Sequence, residues 1–488
     1  MACTAVQPNL TAREQAHFLY EAIPPGLFRV EDEKERIAWR ISPEPFPLSP
    51  ASVARIEQIG SDLLAFYRAV NALYLRSARG TAPAFIAEYL DRGKPEQIVR
   101  LSRQNRFKQE IPGVIRPDLL LTDDGFAATE LDSIPGGLGF VGAMAEAYCK
   151  LGIESIGGAD GMPLAFSEML RSSSGVAEPT AAIVVSDEAG DYRAEMRWLA
   201  EAVRRLGLAK LYVCTPAEIV FSEDALFMRL EDGREEKLDV LYRNFELFDL
   251  LNIPKQELML YAARHNTVKM TPPPKAHLEE KLSFALLHHP QLAALWRAEM
   301  GAETYQRMQT LLPPTWILDP RPLPPQASID GLTAAGVPVN DWRQLLDLGK
   351  SERNFVTKPS GFSEIAWGSR GVKIANDLTK EEWAQTLDGA LASFDRTPYV
   401  LQRFRKGKRL RQPYFDPASD EVRQFDGRVR LCPYYFVVGP SSGSGQAGSD
   451  QSVKLGGVLA TVAPADKRLI HGMTDAVMSP CVLKEGGY

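Results

Sequence analysis

The chain has 488 residues, of which 45% are apolar and 24% are charged, a composition ordinary for a soluble globular protein of about two to four domains. Its 56 lysine and arginine residues stand against 62 aspartate and glutamate residues, and this net charge of −6 argues against general binding to nucleic acid or anionic membranes. No apolar run reaches the roughly 18 residues that a membrane-spanning helix needs.

The cysteines are widely scattered and form no CxxC pair; they are Cys3, Cys149, Cys214, Cys432 and Cys481. Their odd number and wide spacing indicate reduced thiols and no structural zinc site. The polar N-terminus lacks the charged and then apolar pattern of a signal peptide. These features together predict a cytoplasmic protein.

The first region of the chain, residues 1–110, is predicted to be mainly helical. Ser49 and Pro50 form a typical helix start, and apolar residues then recur at helical spacing as far as Leu73. We expect this region to form a helical layer that packs on the rest of the protein or caps it.

Residues 114–132, VIRPDLLLTDDGFAATELD, predict two short strands around a turn at residues 123–125. A three-residue loop that ends in glycine is a favoured hairpin connection, because its last position needs a positive φ. The expected register then pairs Thr122 with Phe126. From there the two strands should pair residue by residue along their length.

The same register brings four charged side chains to one face, because Asp118 opposes Glu130 and Arg116 opposes Asp132. Paired carboxylates about 5 Å apart repel each other unless a cation lies between them, and hard oxygen ligands suit Mg²⁺. The alternative interpretation is an exposed acidic hairpin that Arg116 neutralises.

The motif Arg116-x-Asp118, followed by Glu130-x-Asp132, resembles the metal-binding signature of the circularly permuted ATP-grasp ligases. It is most similar to that of the synthetase domain of glutathionylspermidine synthases, which usually have asparagine where this chain has Asp132. The resemblance implies that Asp118, Glu130 and Asp132 hold Mg²⁺ and that Arg116 acts in catalysis. It also implies that the ATP-binding lysines follow later in the chain.

A glycine pattern over residues 137–142 follows the second strand and precedes a predicted helix, as a dinucleotide-binding fingerprint does. Asp160 lies at a suitable distance beyond it. However, the two carboxylates at the end of the preceding strand would repel a pyrophosphate, and no clean second strand follows Leu151. An NAD-dependent oxidoreductase is therefore the less favoured alternative.

Residues 178–250 change character. AAIVV (181–185) and LYVC (211–214) predict buried strands on either side of an amphipathic helix over 191–207, and a further strand is predicted at 240–242. This order predicts a small parallel-sheet α/β domain. The resemblance implies that it is the substrate-side domain.

Lys281 lies beside an apolar stripe that includes Leu278, Leu282 and Leu286. A surface lysine that flanks a core helix would show the same pattern. The segment resembles the family's helix before the lid, and the resemblance implies that Lys281 contacts a nucleotide phosphate.

Lys358 ends the predicted strand FVTKP (355–359) and precedes a loop rich in glycine and serine, residues 360–371. Small residues let backbone N–H groups approach phosphate oxygens, and a lysine supplies a point charge. A solvated turn is the alternative. The resemblance implies that Lys358 and Gly361 bind ATP.

The predicted strand YVLQR (399–403) resembles the family's hinge strand, and the resemblance implies that Gln402 lies near the adenine or ribose. A basic run from Arg403 to Arg411 has no aromatic stacking platform beyond Phe404, which favours a solvated face or an acidic ligand over nucleic acid. The glycine loop 360–371 and the Ser/Gly-rich loop 439–450 are predicted to be mobile. His471 is an additional candidate near the site.

The predicted fold class is α/β (α+β), ATP-grasp-like and circularly permuted, with an inserted small parallel-sheet α/β domain and a helical N-terminal layer. Its predicted parts are the helical region 1–110, the metal-binding part 111–175, the small α/β domain 176–270, and the ATP-binding lid with the C-terminal strands 271–488. The resemblance implies an ATP- and Mg²⁺-dependent ligase that joins a small-molecule carboxylate to an amine and releases ADP. A non-catalytic nucleotide-binding or scaffold protein is the other alternative.

Overall fold

The computed structural model describes residue 3 and residues 10–27, 39–439, 451–470 and 475–488. His471 and nearly all of the Ser/Gly-rich loop 439–450 lie outside these described residues. Within them, no helix is long and apolar enough to cross a membrane.

The described part of the N-terminal region is mainly helical and contains two short strands. Its elements are α1 (Ala12–Ala22), β1 (Arg40–Ile41), β2 (Phe46–Leu48), α2 (Pro50–Ala78), α3 (Phe85–Asp91) and α4 (Glu96–Ser102). The long helix α2 begins where the sequence predicts, because the Ser49 hydroxyl accepts a hydrogen bond from the amide of Ser52. Its apolar residues, among them Ile56 and Leu63, enter the main hydrophobic core.

The middle of the chain contains the hairpin and the α/β region. Its elements are β3 (Val114–Thr122), β4 (Gly125–Asp132), α5 (Leu138–Cys149), α6 (Gly161–Ser174), β5 (Thr180–Val185), α7 (Arg193–Arg205), β6 (Lys210–Cys214), β7 (Ile219–Ser222), β8 (Ala225–Arg229), β9 (Glu235–Lys237), β10 (Val240–Asn244), α8 (Gln256–Arg264) and β11 (Lys269–Thr271). Four of the strands form a parallel sheet in the order β11-β10-β5-β6, which confirms the predicted parallel sheet. The strands β7, β8 and β9 form a separate antiparallel sheet.

A helical stretch then leads into a small antiparallel sheet. The elements are α9 (Leu282–His288), α10 (Ala293–Met300), α11 (Ala302–Leu311), β12 (Thr315–Ile317), β13 (Thr333–Ala334), β14 (Val337–Pro338), β15 (Phe355–Pro359), β16 (Lys373–Ile374), α12 (Lys380–Ala392) and β17 (Tyr399–Arg403). The strands β12, β17, β15 and β16 lie side by side in that order and are antiparallel. We call this four-stranded unit the small antiparallel sheet.

The last strands, β18 (Arg409–Asp416), β19 (Glu421–Val438), β20 (Ser452–Pro464) and β21 (Val477–Leu483), complete the main sheet. Its order is β1-β21-β20-β19-β3-β4, with β18 paired to β19 and β2 to β21. The helix α2 packs on one face, and α5 and α6 pack on the other. The C-terminal strands therefore return to lie beside the hairpin β3–β4.

The charged residues of the hairpin pair as predicted, although the turn differs from the predicted one. Its turn has two residues, because Thr122 pairs with Gly125 and not with Phe126. A β-bulge beside Asp118 absorbs the extra residue, and beyond it Asp118 pairs with Glu130 as expected. The prediction of a three-residue loop was wrong, and the predicted pairing of the charged residues is confirmed.

The cysteine prediction was also wrong in part. Cys3 forms a disulfide with Cys149 at the end of α5, whereas Cys214, Cys432 and Cys481 are free and buried. Cysteine spacing in the sequence could not show this pairing, because the partners are 146 residues apart and meet only in the folded chain. Disulfides are typical of oxidising compartments, and this bond contradicts the prediction that all five cysteines are reduced thiols.

Candidate functional site

The hairpin β3–β4 carries its charged side chains on one face, where Arg116 contacts both strands. The guanidinium of Arg116 lies 3.2 Å from a carboxylate oxygen of Asp118 and 2.9 Å from one of Asp132. The neighbouring strand β19 supplies a second guanidinium, that of Arg430, 2.9 Å from Asp118. Asp118 therefore lies between two arginines.

Two lysines reach the same face from distant parts of the chain. The ammonium of Lys281, the residue before α9, lies 2.8 Å from a carboxylate oxygen of Glu130. Lys358, on β15, donates a hydrogen bond of 2.6 Å to the carbonyl oxygen of Thr129. Thus the structure brings Lys281 and Lys358 to the acidic hairpin, although the roles implied for them stay predictions.

The charges set the protonation of this cluster. Burial alone would raise the pKa of Asp118, but Arg116 and Arg430 outweigh it and lower that pKa. Burial would also raise the pKa of Glu130, but the charges of Lys281 and Lys358 outweigh it and lower that pKa. Burial lowers the pKa of Lys358 itself to about 8, despite the nearby carboxylates.

Asp118 and Glu130 suit a magnesium ion, but the three-ligand set does not form. Asp132 accepts hydrogen bonds from Arg116 and from the amide of Ile134, and burial raises its pKa. In the described part of the chain, no group of three or more Asp, Glu, His or Cys side chains is arranged to hold a metal ion. Two carboxylates paired across strands still match the donor set of Mg²⁺, which usually takes one or two carboxylates plus phosphate oxygens and water.

Gly361 and Gln402 are occupied by protein contacts. The amide of Gly361 donates to a carboxylate oxygen of Glu280 at 3.0 Å. Gln402 is 3% exposed, and its amide nitrogen donates to the Thr315 hydroxyl on β12 at 3.2 Å. The ATP contacts implied for these two residues stay predictions.

The glycine pattern before α5 serves protein packing. The carboxylate of Glu195, on α7, accepts hydrogen bonds from the amides of Gly137 and Phe140 at the start of α5. A Cβ at Gly139 would overlap the backbone carbonyl of Glu195. A pyrophosphate would need the position that this carboxylate fills, so the geometry counts against the NAD alternative.

A second concave site lies at the carboxyl ends of β5 and β10. The chain leaves β5 to form β6 on one side and later returns to place β10 on the other, so β5 and β10 flank the topological switch point of the parallel sheet. Such points are where open α/β sheets bind ligands. A small cleft opens here, and Ile134, two residues beyond Asp132, lines it.

Two polar residues make this cleft distinctive. Asn244, at the end of β10, is 1% exposed, and neither atom of its amide group has a hydrogen-bond partner among the described residues. Beside it, burial and the carboxylates of Glu279 and Asp132 raise the pKa of Glu246 to about 8. We name this site the switch-point cleft.

Sequence reasoning missed Arg430, Glu195, Glu246 and Glu280. Arg430 left a usable signal, because it interrupts the apolar run of a strand that is buried on both sides. Glu280 lies directly before Lys281, and nothing in its local sequence distinguishes it from a surface acid. Glu195 and Glu246 are ordinary surface-like acids in sequence, and only the fold buries them.

No protein-family model matches the sequence, and no curated protein matches it. Among solved structures, the chain is similar to a glutathione synthetase-like effector from Globodera pallida, with 13% identity, 97% of each chain covered and a TM-score of 0.60. It is also similar to a putative gamma-glutamylcysteine synthetase from Methylobacillus flagellatus, with 11% identity, 80% and 87% of the chains covered and a TM-score of 0.40. The first similarity shows a shared fold, and the second score is too low to add to it.

Proposed function

We propose that this protein is an ATP-dependent ligase of the ATP-grasp type, which joins a carboxylate to an amine and releases ADP. One observation carries the proposal. Cations from three separate segments, Arg430 on β19, Lys281 before α9 and Lys358 on β15, converge on the acidic hairpin that holds Arg116. A face that combines paired carboxylates with four cations suits a metal-bound polyphosphate.

In this proposal Asp118 and Glu130 hold Mg²⁺, which supplies charge neutralisation for the ATP phosphates. Lys281 and Lys358 exchange their hairpin contacts for phosphate oxygens. Arg116, oriented by Asp132, faces the phosphoryl group that is transferred.

The reaction then needs little from the protein beyond position and charge. A carboxylate oxygen of the first substrate attacks the γ-phosphorus, and ADP leaves. The amine nitrogen of the second substrate attacks the carbonyl carbon of the acyl-phosphate, loses a proton and displaces phosphate.

We assign the amine substrate to the switch-point cleft. Its described lining contains Glu188, Glu246 and Asp249 and no lysine, arginine or histidine, which disfavours a second carboxylate there. The unpartnered amide of Asn244 offers both a donor and an acceptor to a bound molecule. The proposal includes the circular permutation, small-molecule substrates and no nucleic-acid or membrane partner.

The test is a screen for ADP release with Mg-ATP across amino acids, polyamines and short peptides, in paired combinations of acid and amine. We expect release only when both substrates are present, and none with Asp118→Asn. Release that is equally fast without any acid would contradict acyl-phosphate chemistry.

A second candidate is a non-catalytic nucleotide-binding protein. It is favoured by the ion pairs that engage Asp118, Glu130 and Asp132 in this structure. Binding of Mg-ATP without ADP release for any substrate pair would support this candidate over the ligase.

A further inference from the structure

A turn in the N-terminal region, residues 92–94 between α3 and α4, packs against the connection between α12 and β17. Arg92 forms an ion pair of 2.9 Å with Asp395, in the connection between α12 and β17. Gly93 has a φ of +73°, in the left-handed region, and a Cβ there would overlap the carbonyl of Arg396. Glycine is therefore required for this close approach.

The next residue, Lys94, forms a buried ion pair. Its ammonium lies 2.7 Å from a carboxylate oxygen of Glu280, and the side chains are 1% and 0% exposed. The same ammonium lies 5.7 Å from the ring centre of Phe362. Buried charges are costly unless they are paired and hydrogen-bonded, so this pair depends on the contacts around it.

Glu280 also contacts the glycine loop. Its carboxylate accepts from the Ser360 hydroxyl at 2.6 Å and from the Gly361 amide at 3.0 Å. Only Pro359 separates these two residues from Lys358 along the chain. The neighbours of Glu280 engage the other two parts of the site, because Glu279 pairs with Arg243 of β10 and Lys281 pairs with Glu130.

We propose that the Lys94–Glu280 ion pair positions the glycine loop. Through this pair, the N-terminal region holds Ser360 and Gly361 in place and thereby sets the direction of the Lys358 side chain. The composition of the loop predicts that it is mobile along its whole length. In this proposal its start is instead held in place by Glu280. The part of the inference that concerns nucleotide rests on the proposed function, whereas the pinning of the loop does not.

The test uses Lys94→Met, which keeps the length of the side chain and removes its charge, and Ser360→Ala, which removes a single hydrogen bond. Amide hydrogen exchange at Gly361 in the ligand-free protein should rise about tenfold or more in both variants, because a charge-assisted contact is lost. In Lys94→Met, the Kd for Mg-ADP should rise about tenfold, and KM for ATP should rise more than kcat falls.

Arg307→Met is the matched control, because it breaks another ion pair with a buried carboxylate, that of Asp62, between α2 and α11. It should lower stability without changing exchange at Gly361 or the affinity for Mg-ADP. Unchanged exchange at Gly361 in folded Lys94→Met and Ser360→Ala would overturn the inference. If the wild-type protein does not bind Mg-ADP, the proposed function fails while the exchange experiment still decides the role of the pair.

Discussion

The acidic hairpin and the switch-point cleft both contain buried carboxylates, yet the pKa values of these carboxylates shift in opposite directions. On the hairpin, arginine and lysine side chains lower the pKa of Asp118 and of Glu130. In the cleft, burial together with neighbouring carboxylates raises the pKa of Glu246 to about 8. Nearby, burial raises the pKa of Glu195 to about 7, although backbone amides oppose it.

The difference shows that the partners of a carboxylate, and not its burial alone, decide its charge. The hairpin acids remain ionised because guanidinium and ammonium groups surround them, which suits binding of a metal and a polyphosphate. The acid in the cleft favours the neutral form until a cation arrives. Four predictions test this comparison.

The largest effect is expected at Asp118. Asp118→Asn should abolish Mg²⁺-dependent ADP formation and lower the free energy of unfolding by about 3 kcal/mol, because Arg116 and Arg430 lose a buried partner. Chemical denaturation and an ADP assay measure the two effects. Asp123→Asn, at the exposed turn of the same hairpin, should change neither. Full stability in Asp118→Asn would mean that the two arginines do not depend on this carboxylate.

Lys358 should contribute next. Lys358→Met should weaken binding of Mg-ADP by about 1.5–3 kcal/mol, because a charge-assisted hydrogen bond to phosphate is lost. Calorimetry measures the affinity, and Lys281→Met should act in the same direction. Lys406→Met, in the exposed basic run, is the control. Unchanged affinity in the double variant Lys281→Met and Lys358→Met would rule out the phosphate contact.

Glu246 should make stability depend on pH. Its raised pKa means that the folded protein binds a proton that the unfolded chain releases, so stability falls as the pH rises from about 4.5 to about 8. Glu246→Gln should reduce this slope, leaving the part due to Glu195, and stabilise the protein at pH 8 by an amount on the order of 1–3 kcal/mol. Denaturation at a series of pH values measures it, with Glu188→Gln as the control. A slope in Glu246→Gln equal to that of the wild-type protein would contradict the raised pKa of Glu246.

The smallest effect is expected from NADH. Mg-ADP at about 100 times its Kd should stabilise the protein by about 2.7 kcal/mol, whereas NADH should not raise the melting temperature. The reason is that Glu195 occupies the start of α5. A melting temperature that rises with NADH and not with Mg-ADP would reopen the oxidoreductase alternative.

Much of the local structure could be predicted. The alternation of side chains placed Arg116 and Asp132 opposite each other, and the β-α-β pattern predicted the parallel sheet. The hairpin pairing survived an incorrect turn, because the bulge near Asp118 compensates for the shorter loop and keeps the apolar side chains on the core face. The disulfide of Cys3 was missed, because nothing local specifies which cysteines meet.

The sequence by itself determined which acids share a strand face and which lysine ends a strand, since both follow from the spacing of neighbouring residues. Only the tertiary structure decided which charges meet. Arg430 reaches Asp118 across 312 residues, and Lys94 reaches Glu280 across 186. Such pairs form because packing of whole elements brings them into a buried environment, where an unpaired charge is too costly to persist, and no local pattern records that environment.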